Sequence, residues 1–418
     1  MNTKDDRLSS LSDDLVIKIL SYNNDTKQAV RTSILSSRWK TIWKSIPLFD
    51  LSSDYFTSRP HEVTRYLSSR NNEIELSSVE LSVGEFSQAF VKTVVDYAFS
   101  HNVQKMTIIW SGGWHNKIPN FLFMSRSLKD LTFISTTRYL NQPEIKSSMD
   151  LPALTSLHLE NVILDNQNPD EYGGLFSKFL NLKNLTLFKC SIHDHNPFIS
   201  LSEFSNLTPE NGLYSFANVV APHLKNLTVV DCQGRLKVYA PELSSLMYEV
   251  PCFENFIANG VSCLERVDFY MCPYEEDDGD AIIKILQQFH NVKYLTIGLE
   301  IVEILKSYVD ELSDLPSSFG KLMSLKIFPR KEKGKKKVKI PRQVKNFFLG
   351  ASPNAVVSIY SRKEVKTLKD ATSAQKILPK LQGFQWFLLS VILYATIIWF
   401  FGAMLHILDG YVIRLSNM

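Results

Sequence analysis

A chain of 418 residues exceeds one ordinary compact domain, so two or three units or a repeat array are expected. Hydrophobic residues at 44% and charged residues at 21% read as a folded chain rather than a disordered one. A net charge of +3 makes no general case for nucleic acid, and five cysteines with no CxxC pair exclude a secreted disulfide framework.

The N-terminus, "MNTKDDRLSSLSDDL", is polar and lacks the apolar run of a signal peptide. Cytosolic synthesis and a reducing compartment are the default expectation. Three short helical patterns precede Pro47. In "LSDDLVIKIL" the residues Leu11, Leu15, Val16, Ile19 and Leu20 share a helical face, with Ser12 as N-cap and Asp13 and Asp14 suiting the first turn. "TKQAVRTSIL" gives a second helix through Ala29, Val30, Ile34 and Leu35. In "SSRWKTIWKSI" Trp39, Ile42, Trp43 and Ile46 follow i, i+3, i+4, i+7 spacing, and Pro47 stops the helix.

Three helices in so short a stretch bury little surface by themselves. The two tryptophans could offer roughly 300–500 Å² of burial. Their rings either pack on their own helices and the next domain or form a face for a partner.

The order of residues resembles a known motif. "DRLSSLSDDLVIKILSYNNDTKQAVRTSILSSRWKTIWKSIPLFDL" is similar to the plant-type F-box, with its Leu-Pro-Asp-Asp/Glu-Leu opening, Ile-Leu-Ser and Ser-x-Leu-Ser-x-Arg-Trp-x-x-Leu/Ile-Trp signature. The resemblance covers about residues 6–50. It implies docking onto the Skp-type adaptor of an SCF ubiquitin ligase, and through it to cullin and RING subunits. By position, Leu11, Leu15, Ile19, Val30, Leu35, Trp39 and Trp43 would be the adaptor contacts. The chain departs from the motif at Ser12, where the family usually has proline. Loss of that rigid apolar contact implies weaker adaptor binding and a larger share for the tryptophans.

After a connecting segment, residues 51–72, a Leu-x-x-Leu-x-Leu pattern recurs through residues 73–362. Its central positions are Val79, Met106, Leu131, Leu157 and Leu185, then Leu227, Leu246, Val267, Leu295 and Leu325. Most intervals fit leucine-rich repeats, in which each unit gives one strand to a parallel sheet. The interval of 42 residues between Leu185 and Leu227 is expected to hold an insertion, roughly His193 to Val220.

Cys190, Cys232 and Cys272 each follow the last motif residue by three positions, where a repeat takes a buried Asn or Cys. That place makes them structural, and it accounts for Cys190 in "CSIHDH" without a metal. The array resembles the repeats behind many plant F-boxes, which act as substrate receptors. Stacked strands offer an extended surface to a protein partner. Trp110, Trp114 and Tyr270 are candidate contacts there, with ordinary packing as the other reading.

"EEDDGD" (Glu275 to Asp280) and "RKEKGKKKVK" (Arg330 to Lys339) read as solvated loops, the second with a nuclear import signal or anionic-surface patch as its alternative. Asn184-Leu-Thr186 and Asn226-Leu-Thr228 match the glycosylation pattern but fall in predicted strands. Beyond a polar linker, residues 363–382, lies a hydrophobic segment, residues 383–408. Its core, Phe384 to Leu405, is 22 residues, enough for a hydrocarbon layer of about 30 Å. Lys376 and Lys380 before it and Arg414 after it predict a cytosolic N-terminal bulk with a membrane tail anchor; the alternative is cytoplasm and nucleus.

The expected fold is thus α/β. A three-helix F-box precedes an irregular leucine-rich-repeat solenoid with a parallel sheet, and a C-terminal hydrophobic helix follows. No catalytic constellation, cofactor motif or metal-ligand set is present in the pattern. The resemblance implies a non-catalytic receptor subunit that binds a target protein and no nucleic acid. A membrane-tethered repeat protein with no role in ubiquitin ligation is the alternative.

Overall fold

The structure, a computed structural model, describes residues 11–360 except 23–24, 53–55, 57–58, 85–87, 112–117, 138–141, 147–148, 166–175, 177–178, 194–197, 201–205, 211–212, 231–232, 251–255, 260–261, 272–278, 316–318 and 329–339. The chain divides into Met1–Tyr360 and Ser361–Met418, and the second unit, with the tail 383–408, lies outside the described residues.

The N-terminal patterns form helices α1 (Asp13–Tyr22), α2 (Thr26–Arg31) and α3 (Trp39–Ile42). Short 3-10 turns extend the last two, over Thr32–Ile34 and Trp43–Ser45. Local chemistry sets the boundaries. The Ser12 carbonyl accepts the Val16 N–H at 3.1 Å, the first bond of α1. The Asp25 carboxylate caps α2 by accepting the Gln28 N–H at 2.9 Å. Arg38, just before α3, pairs with Asp13 at 2.6 Å and donates to the Leu11 carbonyl, which ties the third helix to the start of the first.

Among the described residues, thirteen parallel strands then form one sheet. In order across it they are Leu48–Leu51, Ser78–Val83, Lys105–Trp110, Asp130–Ser135, Ser156–Glu160, Asn184–Phe188 and Asn206–Glu210, followed by Asn226–Val230, Ser245–Val250, Arg266–Met271, Tyr294–Gly298, Ser324–Phe328 and Val356–Ile359. All ten central positions read from the repeat pattern lie in one register row, from Val79 opposite Met106 to Leu295 opposite Leu325. Parallel pairing keeps equivalent residues side by side on one face, so these ten residues form a buried spine.

Three more members join the row. Phe49 precedes Val79 and Val357 follows Leu325, at the two ends of the sheet. Leu207 sits between Leu185 and Leu227. The expected insertion between those last two is therefore corrected: it contains a complete repeat strand. In "FSNLTPE" the place of the final motif leucine is taken by Pro209, which hides the pattern. Proline has no N–H to give the ladder. Pairing to the next strand is accordingly carried by Asn206, Leu207 and Glu210.

Repeat length limits what can back each strand. The longer units carry helices, such as Pro60–Ser69, Gln88–Ser100, Gly279–Gln288 and Arg342–Leu349. The short units of the middle have too few residues for a helix and two turns. They return through short strands of a second parallel sheet, including Ser191–His193, Leu213–Val220 and Gln233–Tyr239, and that sheet continues into a longer unit at Ile163–Asp165.

One buried polar cluster locks this change of style. Asn161, with φ of 57°, donates to the carbonyls of Ser135 at 3.0 Å and Thr137 at 2.7 Å. Its own oxygen accepts from Gln142 at 2.8 Å, and Gln142 also donates to the Lys189 carbonyl at 2.8 Å. Asparagine tolerates left-handed backbone better than most residues. Asn161→Ala would leave several buried groups without partners, and we expect a loss of about 3 kcal/mol in unfolding free energy. A urea titration followed by circular dichroism measures it; a loss below about 1 kcal/mol would show that water replaces these bonds.

Candidate functional site

A docking surface needs apolar side chains that the fold itself leaves uncovered. The first helices supply them. On α1, Leu15 is 49% exposed, Ile19 57% and Tyr22 72%. Their spacing of four and three residues puts all three on one helical face. Val16, about 100° round the helix from Leu15, is fully buried. At the end of the second helical segment Ile34 is 78% and Leu35 45% exposed.

The residues singled out by sequence therefore divide. Leu15, Ile19 and Leu35 stand open to solvent, and Leu11 and Val30 are half-buried. Trp39 and Trp43 are each only 8% exposed. Trp39 closes a small cluster with Val16 and Ile42, against which Leu11, Ile17 and Leu20 pack. Trp43 belongs to the main core and stacks on Tyr66, with ring centroids 5.5 Å apart at 21°. The expected prominence of the tryptophans at a partner surface is not what their placement offers, because a covered ring has little area left to bury. Tyr22 and Ile34 are open positions that the sequence reading did not select. Tyr22 could have been found as the i+7 partner of Leu15.

These helices are fastened to the sheet. The Thr26 hydroxyl accepts the Asp50 N–H at 2.7 Å, joining α2 to the first strand. Arg70 lies buried between the two regions and donates to the Ile46 carbonyl and to the Tyr66 hydroxyl. Its guanidinium also stands over the Phe49 and Tyr66 rings, 5.3 and 5.4 Å from their centroids. Burial raises the Tyr66 pKa, against the lowering pull of Arg70, so its phenol stays neutral as a hydrogen-bonding partner.

Of the residues flagged in the repeats, Trp110 is fully buried, its ring 6.1 Å from Phe133; it belongs to the core and not to the outer face. Tyr270 is half-buried on the outer face of the sheet, and Trp114 lies outside the described residues. Cys232 and Cys272 lie outside them too. Cys190 is fully buried, with its Sγ 3.3 Å from the Leu159 carbonyl and 3.4 Å from that of Phe188.

Burial pushes the Cys190 thiol up to about 12, from a usual value of 9.0. The folded chain thus holds a proton that the unfolded chain releases near 9. Its stabilising effect is complete below that pH and is lost as pH rises toward 12. At about pH 8, iodoacetamide should label the exposed Cys263 and leave Cys190 untouched until the chain unfolds. Site-resolved mass spectrometry checks this, and early labelling of Cys190 would refute its structural role.

No family model matches the chain. An F-box/FBD/LRR-repeat protein of Arabidopsis thaliana is 25% identical over 334 residues, covering 77% of this chain and 68% of the relative. F-box/LRR-repeat protein 25 of the same plant is 31% identical over 126 residues, 30% of this chain and 48% of the relative. A further Arabidopsis F-box protein is 25% identical over 303 residues, 72% of this chain and 91% of the relative. The chain is thus homologous to Arabidopsis F-box/LRR-repeat proteins over about 77% of its length at about 25% identity. It spans 65% to 68% of the length of the relatives that it matches most extensively.

Proposed function

We propose that the chain is the target-recognition subunit of an SCF-type ubiquitin ligase. Its first helices, α1 to α3, would form the F-box and dock a Skp-type adaptor. The sheet behind them would hold the target protein. The observation that carries this proposal is the open apolar face of Leu15, Ile19 and Tyr22, with Ile34 and Leu35, on the N-terminal helices of a chain homologous to F-box/LRR-repeat proteins. Apolar side chains left this exposed on a small helical unit are costly unless a partner covers them.

The docking residues proposed are Leu15, Ile19, Tyr22, Ile34 and Leu35, with Leu11 and Val30 at the margin. Trp39 and Trp43 serve by holding the helices in position. Residues 6–50 would be the adaptor-binding unit, with its last strand, Leu48–Leu51, continuous with the repeat sheet. Ubiquitin transfer would be the work of partner subunits, and this chain's contribution is positioning, which raises the effective concentration of target lysines near the conjugating enzyme.

Among the described residues no helix is long and apolar enough to cross a membrane, and the tail segment 383–408 lies outside them. The alternative of a tethered repeat protein without a ligase role is not favoured by relatives that carry F-box in their names. Co-expression of the full chain with a Skp-type adaptor tests the proposal. A stoichiometric complex on gel filtration is the expected result, and a folded chain that leaves the adaptor unbound would overturn it.

A further inference from the structure

The outer face of the large sheet carries its charge unevenly. Three side-chain rows run across the strands there. The row after the buried spine contains Asp50, Glu80, His158 and Asp268 among threonines such as Thr107 and Thr132, and its one lysine is Lys326. The next row starts with Ser82, Ile109 and Ile134. It continues through Glu160, Phe188, Val230, Glu249 and Tyr270. The backbone of Glu210 occupies the place between Phe188 and Val230. The row before the spine is more evenly mixed, with Lys105, Asp130 and Arg266. Acidic charge is therefore concentrated toward the C-terminal ends of the strands, interleaved with apolar and aromatic side chains.

From this arrangement we infer that the sheet face takes a basic segment of a protein partner, rich in lysine or arginine and carrying apolar residues between the charges. Neighbouring strands are about 4.8 Å apart, so Glu160 and Glu249, four strands distant, stand roughly 19 Å from each other. A partner must cross several repeats to meet both. Phe188 and Val230 between them supply apolar contact along that path.

The ionisation of the face agrees with its geometry. Burial and then the neighbouring Asp50 raise the Glu80 pKa. Burial, Asp268 and Glu249 together raise that of Tyr270. In both, neighbouring carboxylates add to the effect of burial, while Ser52 and Lys105 draw the Glu80 pKa back down. His158, 3.8 Å from Glu160, would add positive charge only when protonated. Basic partners would also be steered toward such a face, with a dependence on salt.

The inference rests on the target-receptor reading and names the partner class for it. The test uses the full chain in complex with its adaptor, and a fluorescein-labelled peptide built of lysine, phenylalanine and serine. Fluorescence anisotropy should show binding that weakens with salt. It should weaken again when each lysine is replaced by glutamate or each phenylalanine by serine. Glu160→Gln with Glu249→Gln and Asp268→Asn should reduce affinity about tenfold, the sum of three modest charge pairs. Lys326→Glu should strengthen binding, a direction that misfolding cannot produce. Equal affinity for the lysine and glutamate peptides, or affinity unchanged by both sets of variants, would overturn the inference. Adaptor retention on the same preparation reports separately on the docking proposal, so failure of one is distinguishable from failure of the other.

Discussion

Replacing Leu15 and Ile19 together by aspartate should reduce affinity for the Skp-type adaptor at least a hundredfold while leaving the melting temperature unchanged. Both side chains are about half exposed in the free chain, so their loss removes little packing from the fold. Against an apolar partner the exposed half of each is worth about 1 kcal/mol of burial. The pair therefore represents about 2 kcal/mol, roughly thirtyfold in dissociation constant. Two carboxylates facing an apolar groove add a desolvation cost of their own. Calorimetric titration of the purified chain with adaptor measures the loss. Affinity within about threefold of wild type would remove α1 from the docking surface and with it the main support for the proposed function.

Trp43→Ala should act on the opposite side of the ledger and cost about 3–5 kcal/mol of stability. Its ring fills the seam between the helices and the sheet, stacked on Tyr66 and in the same core as Ile46 and Phe49. Removing it would open a cavity beside Arg70, whose guanidinium depends on the Tyr66 hydroxyl and the Phe49 face. Urea denaturation should show the midpoint falling sharply, and adaptor affinity should fall with it because the helices lose their support. Trp43→Phe, which keeps a ring in the seam, should recover most of both. Full stability in Trp43→Ala with adaptor binding lost would instead make the indole a direct contact. Trp39→Ala should cost less, since Trp39 closes only the small cluster with Val16 and Ile42.

Much of the solenoid was legible because its signal is redundant. Every unit must place apolar residues at the same two or three inward positions, and ten such positions aligned into one row. Where a unit breaks the pattern, reading by pattern fails. Pro209 concealed the strand Asn206–Glu210 and made a repeat look like an insertion. The terminal strands were missed for a related reason. Leu48–Leu51 is short and follows directly on the helices, and Val356–Ile359 has Val356 and Ile359 exposed at the sheet edge, so neither shows the full motif.

The helical unit was less legible, although its helices start and stop near the places that capping residues and Pro47 mark. Periodicity identifies residues that share a face. It does not say whether that face looks inward or outward. Leu15 and Trp43 both occupy helical apolar positions, yet one is open and the other covered.

By itself the sequence determined the α/β class, the parallel spine and the helical N-terminus, because these depend on spacing along the chain. Tertiary structure alone decided which apolar residues are spare. Trp43 is buried by Tyr66 and Trp39 by Val16, partners 23 residues away in each case, on other helices. Leu15, Ile19, Tyr22 and Ile34 have no such cover. Burial is conferred by neighbours that only folding brings near, and so the surface available to a partner could be read only after the tryptophans had found theirs.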